Sequence, residues 1–283
     1  MSATDRPTKA PSKSQRREEA RLEALRLREE QARAARRKRT VALAAAGAVL
    51  LAFVVLVVVI LSQGDDDAVP AAEQVQPTFA ADGGGGLVLD ADGVVTPPED
   101  AGPEWPVGAF DDAVVVTVYS DPICPWCAVF EEVATPVLDE MRLAGDVVID
   151  HRFVGNLDEY SSGTRYSTRA AQAIYTVAQE APGSVTAFIE AIFAAQPAEG
   201  TAGLSDEQIQ DVAREAGVPD AAVEAIAEGR FAWWVGEVTE AARDAHDGRL
   251  GTPSVWLDGE QLDPSVDWRV EETLRGAIED ARG

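Results

Sequence analysis

The sequence predicts an α/β domain carried behind a helical head, one apolar membrane span and a flexible linker. Three observations predict it. A β-branched run, Val114-Val115-Val116-Thr117-Val118-Tyr119, ends just before Cys124-Pro125-Trp126-Cys127, after which apolar residues recur at helical spacing. Ala-rich stretches of helical period then separate a second strand from a closing hairpin. Ahead of all this, Val41 to Leu61 runs for 21 residues without a charge.

The head comprises residues 1–40, with 13 Lys and Arg against 6 Asp and Glu; the remaining 243 residues hold 11 against 43, and no lysine. These are net charges of +7 and −32. An acidic body of this kind repels nucleic-acid phosphates, so nucleic acid is excluded as its partner. Ser14 to Arg39 mixes Arg and Glu among Ala and Leu with no Gly or Pro, and reads as a solvated helix laced with ion pairs. Arg36-Arg37-Lys38-Arg39, at its end, is suited to anionic lipid headgroups.

As a helix, residues 41–61 extend about 31 Å, enough for a hydrocarbon core of about 30 Å. A cleaved signal peptide is the alternative, but 40 residues precede the run and Asp65-Asp66-Asp67 comes after it without a small-x-small site. The basic excess before the span predicts a cytoplasmic N-terminus and a single-pass protein with its domain outside the cytoplasm. Residues 62–106, rich in Asp, Gly and Pro, read as a flexible linker. Leu87-Val88-Leu89 and Val94-Val95 around Asp92-Gly93 suggest a small hairpin, a decoration on the linker or the domain edge.

The domain is expected over 107–283. Cys127, Phe130, Ala134, Val137 and Met141 share one face of the helix after the cysteines, and Pro136 should kink it. Asp146 to Phe153 alternates enough to be a second strand. The helical stretches Arg165–Ala181, Ser184–Ala195, Ser205–Ala216 and Ala221–Asp247 come next, the last breaking near Gly229, so that about 160–247 forms an insertion of four or five helices. Ser205-Asp206-Glu207-Gln208 matches a capping box. Ser254-Val255-Trp256-Leu257 and Gln261-Leu262 flank Asp258-Gly259, a type I′ hairpin signal. Asp267 is expected to cap a final helix with Val270, Leu274, Ala277, Ile278 and Ala281 on one face.

Cys124 and Cys127 are the only cysteines, and they sit where a strand end turns into a helix. Unpaired N–H groups and the helix dipole at such a start favour a thiolate, the reactive form, and Pro125 suits the first turn. A structural zinc site needs four ligands, and only His151 and His246 remain beside the pair, far apart in sequence. A structural staple closing so short a loop contributes only about 2 kcal/mol, and two free buried thiols are the other bland alternative. A redox-active pair accounts best for the spacing.

Tyr119-Ser120-Asp121-Pro122-Ile123-Cys124-Pro125-Trp126-Cys127 resembles the active-site segment of the DsbA-like branch of the thioredoxin superfamily, of the membrane-anchored actinobacterial kind. Gly251-Thr252-Pro253-Ser254-Val255-Trp256 resembles that family's loop in which a cis-proline faces the cysteines. The resemblance covers about Val107 to Gly283 and implies a thioredoxin-like fold with an inserted helical domain. It further implies a thiol–disulfide oxidoreductase that oxidises thiols of exported proteins, with a membrane quinone-linked partner restoring the disulfide. Cofactors are then none beyond the Cys124–Cys127 disulfide itself, and no metal is implied. The other readings are a disulfide reductase or isomerase, and a non-catalytic binding module whose disulfide is structural.

Cys124, first in the pair, is the expected nucleophile and Cys127 the resolving thiol. Pro125 and Trp126 tune the pair, and Trp126 is expected in an apolar lip for unfolded substrates; some relatives carry a histidine there. Thr252 and Pro253 are expected to offer backbone to an extended substrate. Asp121, Glu131 and Glu132 are the acids near the pair in sequence, and a buried one would move protons for Cys127. Val116 to Val118 lack the acid that some relatives place in that strand. His151 and His246 read as structural or exposed.

Overall fold

The computed structural model describes residues 74–102 and 104–283. The expected head and membrane span, and the first part of the expected linker, lie outside them. Among the described residues no helix is long and apolar enough to cross a membrane.

The core is one six-stranded sheet with α-helices packed against it. Strands β1 (Leu87–Asp90), β2 (Gly93–Val94), β3 (Val114–Ser120), β4 (Val147–Phe153), β5 (Ser254–Leu257) and β6 (Glu260–Gln261) lie in the order β2-β1-β4-β3-β5-β6. Only β3 and β4 run parallel, and the helical crossover between them satisfies the geometry that a parallel pair requires. That crossover is α1 (Pro125–Val133) and α2 (Thr135–Ala144). The kink expected at Pro136 is a full break at Ala134, with proline in the first turn of α2, where its missing N–H is tolerated. Gly145, at φ 81°, ends α2.

Between β4 and β5 come α3 (Tyr166–Glu180), α4 (Val185–Ala194), α5 (Asp206–Glu215), α6 (Asp220–Ile226) and α7 (Ala232–Ala245). Most of α3 is buried, and it is the axis on which α4, α6 and α7 pack. Ser205 and Gln208 form the expected capping box, and the break near Gly229 separates α6 from α7. The turn between β5 and β6 has Asp258 at φ 47° and Gly259 at φ 82°, the pair of positive angles a type I′ turn demands. Helix α8 (Glu271–Arg282) closes the chain.

Two apolar clusters hold the layers together. Val114, Val116 and Val118 of β3 pack with Phe130, Leu138 and Met141 of the crossover and with Leu274 and Ile278 of α8. Tyr119, Phe153 and both cysteines belong instead to the larger cluster formed with the inserted helices. The cysteine turn therefore sits where the sheet meets the insertion.

Two expectations are corrected. The expected hairpin forms as β1 and β2, but it is no decoration on a linker: β1 pairs with β4 through Leu87↔His151, Val88↔Asp150 and Leu89↔Ile149, and Phe79, Ala80 and Ala81 are buried too. The hairpin thus covers the open edge of β4, and each fully buried Leu or Val is worth roughly 1.5–3 kcal/mol. Gly86 serves close approach: a Cβ there would lie 2.1 Å from Asp150 Oδ1. Asp267 does not cap the last helix, because it opens a turn closed by Val270 N–H to the Asp267 carbonyl at 3.0 Å, and the helix starts four residues later. Val270 is consequently exposed, while Leu274 and Ile278 are buried as expected.

Candidate active site

The antiparallel register Tyr119↔Ser254 sets the end of β3 beside the start of β5. The cysteine turn leaves the end of β3 and Thr252-Pro253 leads into β5, so sheet pairing alone brings two segments 128 residues apart into contact. Cys124 Sγ donates to the Thr252 carbonyl at 3.2 Å, and the Thr252–Pro253 peptide bond is cis. Cys124, Cys127, Thr252 and Pro253 are therefore gathered at one site, with Pro125 and Trp126 exposed at its rim. Trp126 is 55% exposed, with the Arg269 guanidinium 5.9 Å above its ring.

The two thiols, both free, have opposite environments. Cys124 is the residue preceding the first turn of α1, and its acidity is raised chiefly by a hydrogen bond from the Cys127 thiol. Burial opposes this, while the Thr252 side chain and the N–H groups of Cys127 and Trp126 add to it, and the Cys124 pKa falls to about 6. Cys127 is fully buried. Burial, then the hydrogen bond to Cys124 and the charge that Cys124 carries, hold its pKa well above the ordinary thiol value. Near neutral pH the pair is one thiolate and one thiol, with the thiolate outermost.

Asp121 lies beneath the pair and is fully buried. Its backbone N–H points to Cys127 Sγ at 3.4 Å. Its carboxylate accepts from Ile123 N–H at 3.0 Å, Leu157 N–H at 2.8 Å and Ser167 Oγ at 2.5 Å, joining the cysteine turn to the β4–α3 connection and to α3. Burial outweighs these hydrogen bonds and pushes the carboxyl up to about 7. Glu131 is also buried and raised to about 7 by burial, but its hydrogen bond goes to Thr135 on α2 rather than to a cysteine. Glu132 is exposed.

Sequence reasoning missed Gln196. Its amide, just past α4, donates to the carbonyls of Pro122 at 3.0 Å and Cys124 at 2.9 Å, so the insertion holds the cysteine turn from above. A single polar residue after an apolar helix carries no local signal for that contact. Although β3 lacks an acid at Val116 to Val118, β4 places buried Asp150 opposite Thr117, where it binds Thr117 Oγ1 at 3.2 Å and Arg152 Nε at 2.7 Å. Burial lowers the His151 pKa to about 4, which leaves a neutral ring stacked on Phe153. His246 is engaged at both ring nitrogens, by the Ala242 carbonyl and Ser254 Oγ.

Comparison with known proteins agrees with this geometry. A family model described as Thioredoxin matches residues 101–280, more than half of the chain. Among solved structures, DsbA from Mycobacterium tuberculosis in its reduced form is 27% identical with a TM-score of 0.54, covering 71% of this chain and 93% of that one. Disulfide bond oxidoreductase DsbG from the same organism is 28% identical with a TM-score of 0.52, over 69% and 86% of the respective chains. MdbA from Actinomyces oris, a thiol-disulfide oxidoreductase, shares the fold at 21% identity and a TM-score of 0.51, over 60% and 81%. The serine/threonine-protein kinase PknE of M. tuberculosis is 28% identical over 172 residues, 56% of this chain, and the chain spans only 30% of that kinase's length. Family match, sheet order and the cysteine turn facing Thr252-Pro253 together make this chain a member of the thioredoxin family.

Proposed function

We propose that the chain works as an oxidase, forming disulfides in exported proteins while tethered to the outer face of the cell membrane by residues 41–61. The observation that carries this reading is the contrast between the two thiols, with Cys124 lowered to about 6 and Cys127 held high. A stabilised thiolate favours the reduced pair, and a pair that prefers to be reduced is a strong oxidant when it is a disulfide.

In the reaction, a substrate thiolate attacks Cys124 Sγ of the disulfide; the Cys124–Cys127 bond breaks, a mixed disulfide forms, and Cys127 leaves as a thiolate that takes a proton. A second substrate thiolate attacks the substrate sulfur of the mixed disulfide and expels Cys124 as its stable thiolate. Two electrons pass from substrate to protein. They leave again to a membrane redox partner that restores the disulfide, and no organic or metal cofactor enters the cycle. Gln196 holds the Cys124 backbone carbonyl through both steps, and exposed Trp126 supplies apolar contact for unfolded chains. The basic head, the uncharged run and the acidic body support a cytoplasmic N-terminus with the domain outside, where disulfides persist.

The reduction potential of the full chain, equilibrated against glutathione, tests the direction of the reaction. A value between about −180 and −120 mV is expected for an oxidase, whereas one near the roughly −270 mV of thioredoxins would make it a reductase.

A further inference from the structure

A cleft of about 440 Å³ opens beside the Thr252-Pro253 loop, and its lining mixes apolar with polar side chains. Leu262, Pro264, Val266 and Trp268 make it apolar, while His246 and Arg249 bring the polar, basic element. This polar part is held in place. His246 Nδ1 donates at 2.6 Å to the Ala242 carbonyl, which can only accept, and Nε2 is hydrogen-bonded to Ser254 Oγ at 2.8 Å. Ser254 Oγ accepts in turn from Trp256 Nε1 at 2.9 Å. The imidazole is thus fully occupied by the fold, and Arg249 is the cation left for a ligand.

Arg249 stands apart from the other arginines. Among the described residues, Arg142, Arg152, Arg165, Arg169, Arg214 and Arg230 each hold a carboxylate, as do Arg243, Arg269, Arg275 and Arg282. Arg249 forms no such pair among them, although acids outnumber bases 43 to 11 beyond residue 40. The one acid lining the cleft, Asp263, accepts from the Ser265 N–H at 2.7 Å, which fixes its carboxylate in a local turn but leaves its charge in the cleft.

We propose that this cleft selects substrate segments bearing a carboxylate side chain within a few residues of the reacting cysteine, with Arg249 as its receptor. The proposal rests on the reading of the chain as an oxidase of exported proteins and adds a substrate class to it. An extended substrate laid along Thr252 enters the cleft directly, its apolar side chains toward Val266 and Trp268 and its acid toward Arg249. In a body this acidic, one unpaired cation turns general repulsion of acidic chains into local selection.

The test uses the full chain in its oxidised form and three otherwise identical single-cysteine peptides with Glu, Gln or Lys three residues from the cysteine. Rates of mixed-disulfide formation are divided by each peptide's rate with a small aromatic disulfide, which removes differences in thiol acidity. The wild type should favour Glu over Lys about five-fold at low salt, the size of one partly exposed ion pair, and less as salt is added. Arg249→Gln should bring the ratio near one, and Arg249→Glu should invert it. The same ratio in wild type and Arg249→Glu overturns the proposal while leaving the oxidase reading intact. Failure of all three peptides to react with the wild type overturns both.

Discussion

The mouth and the floor of the site are built from the same turn of helix, yet they are opposite solvents for sulfur. At the mouth, Cys124 meets N–H groups, a thiol donor and the edge of water, and beside it Trp126 stands 55% exposed. On the floor, Cys127 and Asp121 are wholly buried, and each is pushed toward its neutral form. A Cys-x-x-Cys spacing alone therefore does not make two equivalent thiols. Three residues of helix are enough to place one sulfur at the N-terminal N–H groups and the other in the core, and the difference in their acidity comes from that placement.

The largest effect that would undo this contrast comes from exchanging the cysteines' fates. Cys127→Ala should accumulate mixed disulfides through Cys124, because the nucleophile keeps its N–H groups but loses its resolving partner, whereas Cys124→Ala should trap essentially none. Non-reducing diagonal gels read the outcome. More trapping in Cys124→Ala would make the floor, and not the mouth, the reactive region.

Next in size is the floor's own acid. Burial pushes Asp121 up to about 7, against roughly 4 in an unfolded chain, so between those values the folded state holds a proton that the unfolded state has lost. Its contribution to stability therefore falls as pH rises from about 4 to 7. Asp121→Asn abolishes that titration. At pH 5 the variant should be less stable by on the order of 1–3 kcal/mol, since an amide NH2 cannot accept from both Ile123 and Leu157 as the carboxyl does. By pH 8 the deficit should shrink, because there only the wild type buries a charge. Urea unfolding at the two pH values measures this, and a deficit that grows with pH would refute the burial argument.

The smallest effect belongs to the mouth. Trp126→Ala should change stability by less than about 0.5 kcal/mol, as expected for a side chain this exposed. It should slow reaction with an unfolded protein substrate about three- to ten-fold while sparing a small thiol, the loss expected of one aromatic contact. Equal slowing of both would mean that Trp126 acts on the thiolate rather than on the substrate.

Much of the mouth was legible in the sequence: the cysteine pair after a β-branched run is written in residue types, and Thr252-Pro253 came from the resemblance of residues 251–256 to the family's loop. The floor was only partly legible. Asp121 stood out as an acid near the pair, but its partners Leu157 and Ser167 lie 36 and 46 residues away, and nothing local marks them. Gln196 was invisible for the same reason. Outside the site, the small hairpin at Leu87-Val88-Leu89 and Val94-Val95 was legible, but its pairing with β4 was not; the glycine before it permits that approach, as Gly86 against Asp150 shows. Local composition marked the apolar residues of the hairpin but not the partner strand that buries them.

The division into one thiolate at the mouth and one thiol on the floor can be read from the pH dependence of cysteine alkylation in the reduced protein. Site-resolved by mass spectrometry, alkylation of Cys124 should rise through a midpoint near pH 6, with Cys127 unmodified until well above pH 9. A Cys124 midpoint at the ordinary thiol value of about 8.5, or prior modification of Cys127, would contradict that division.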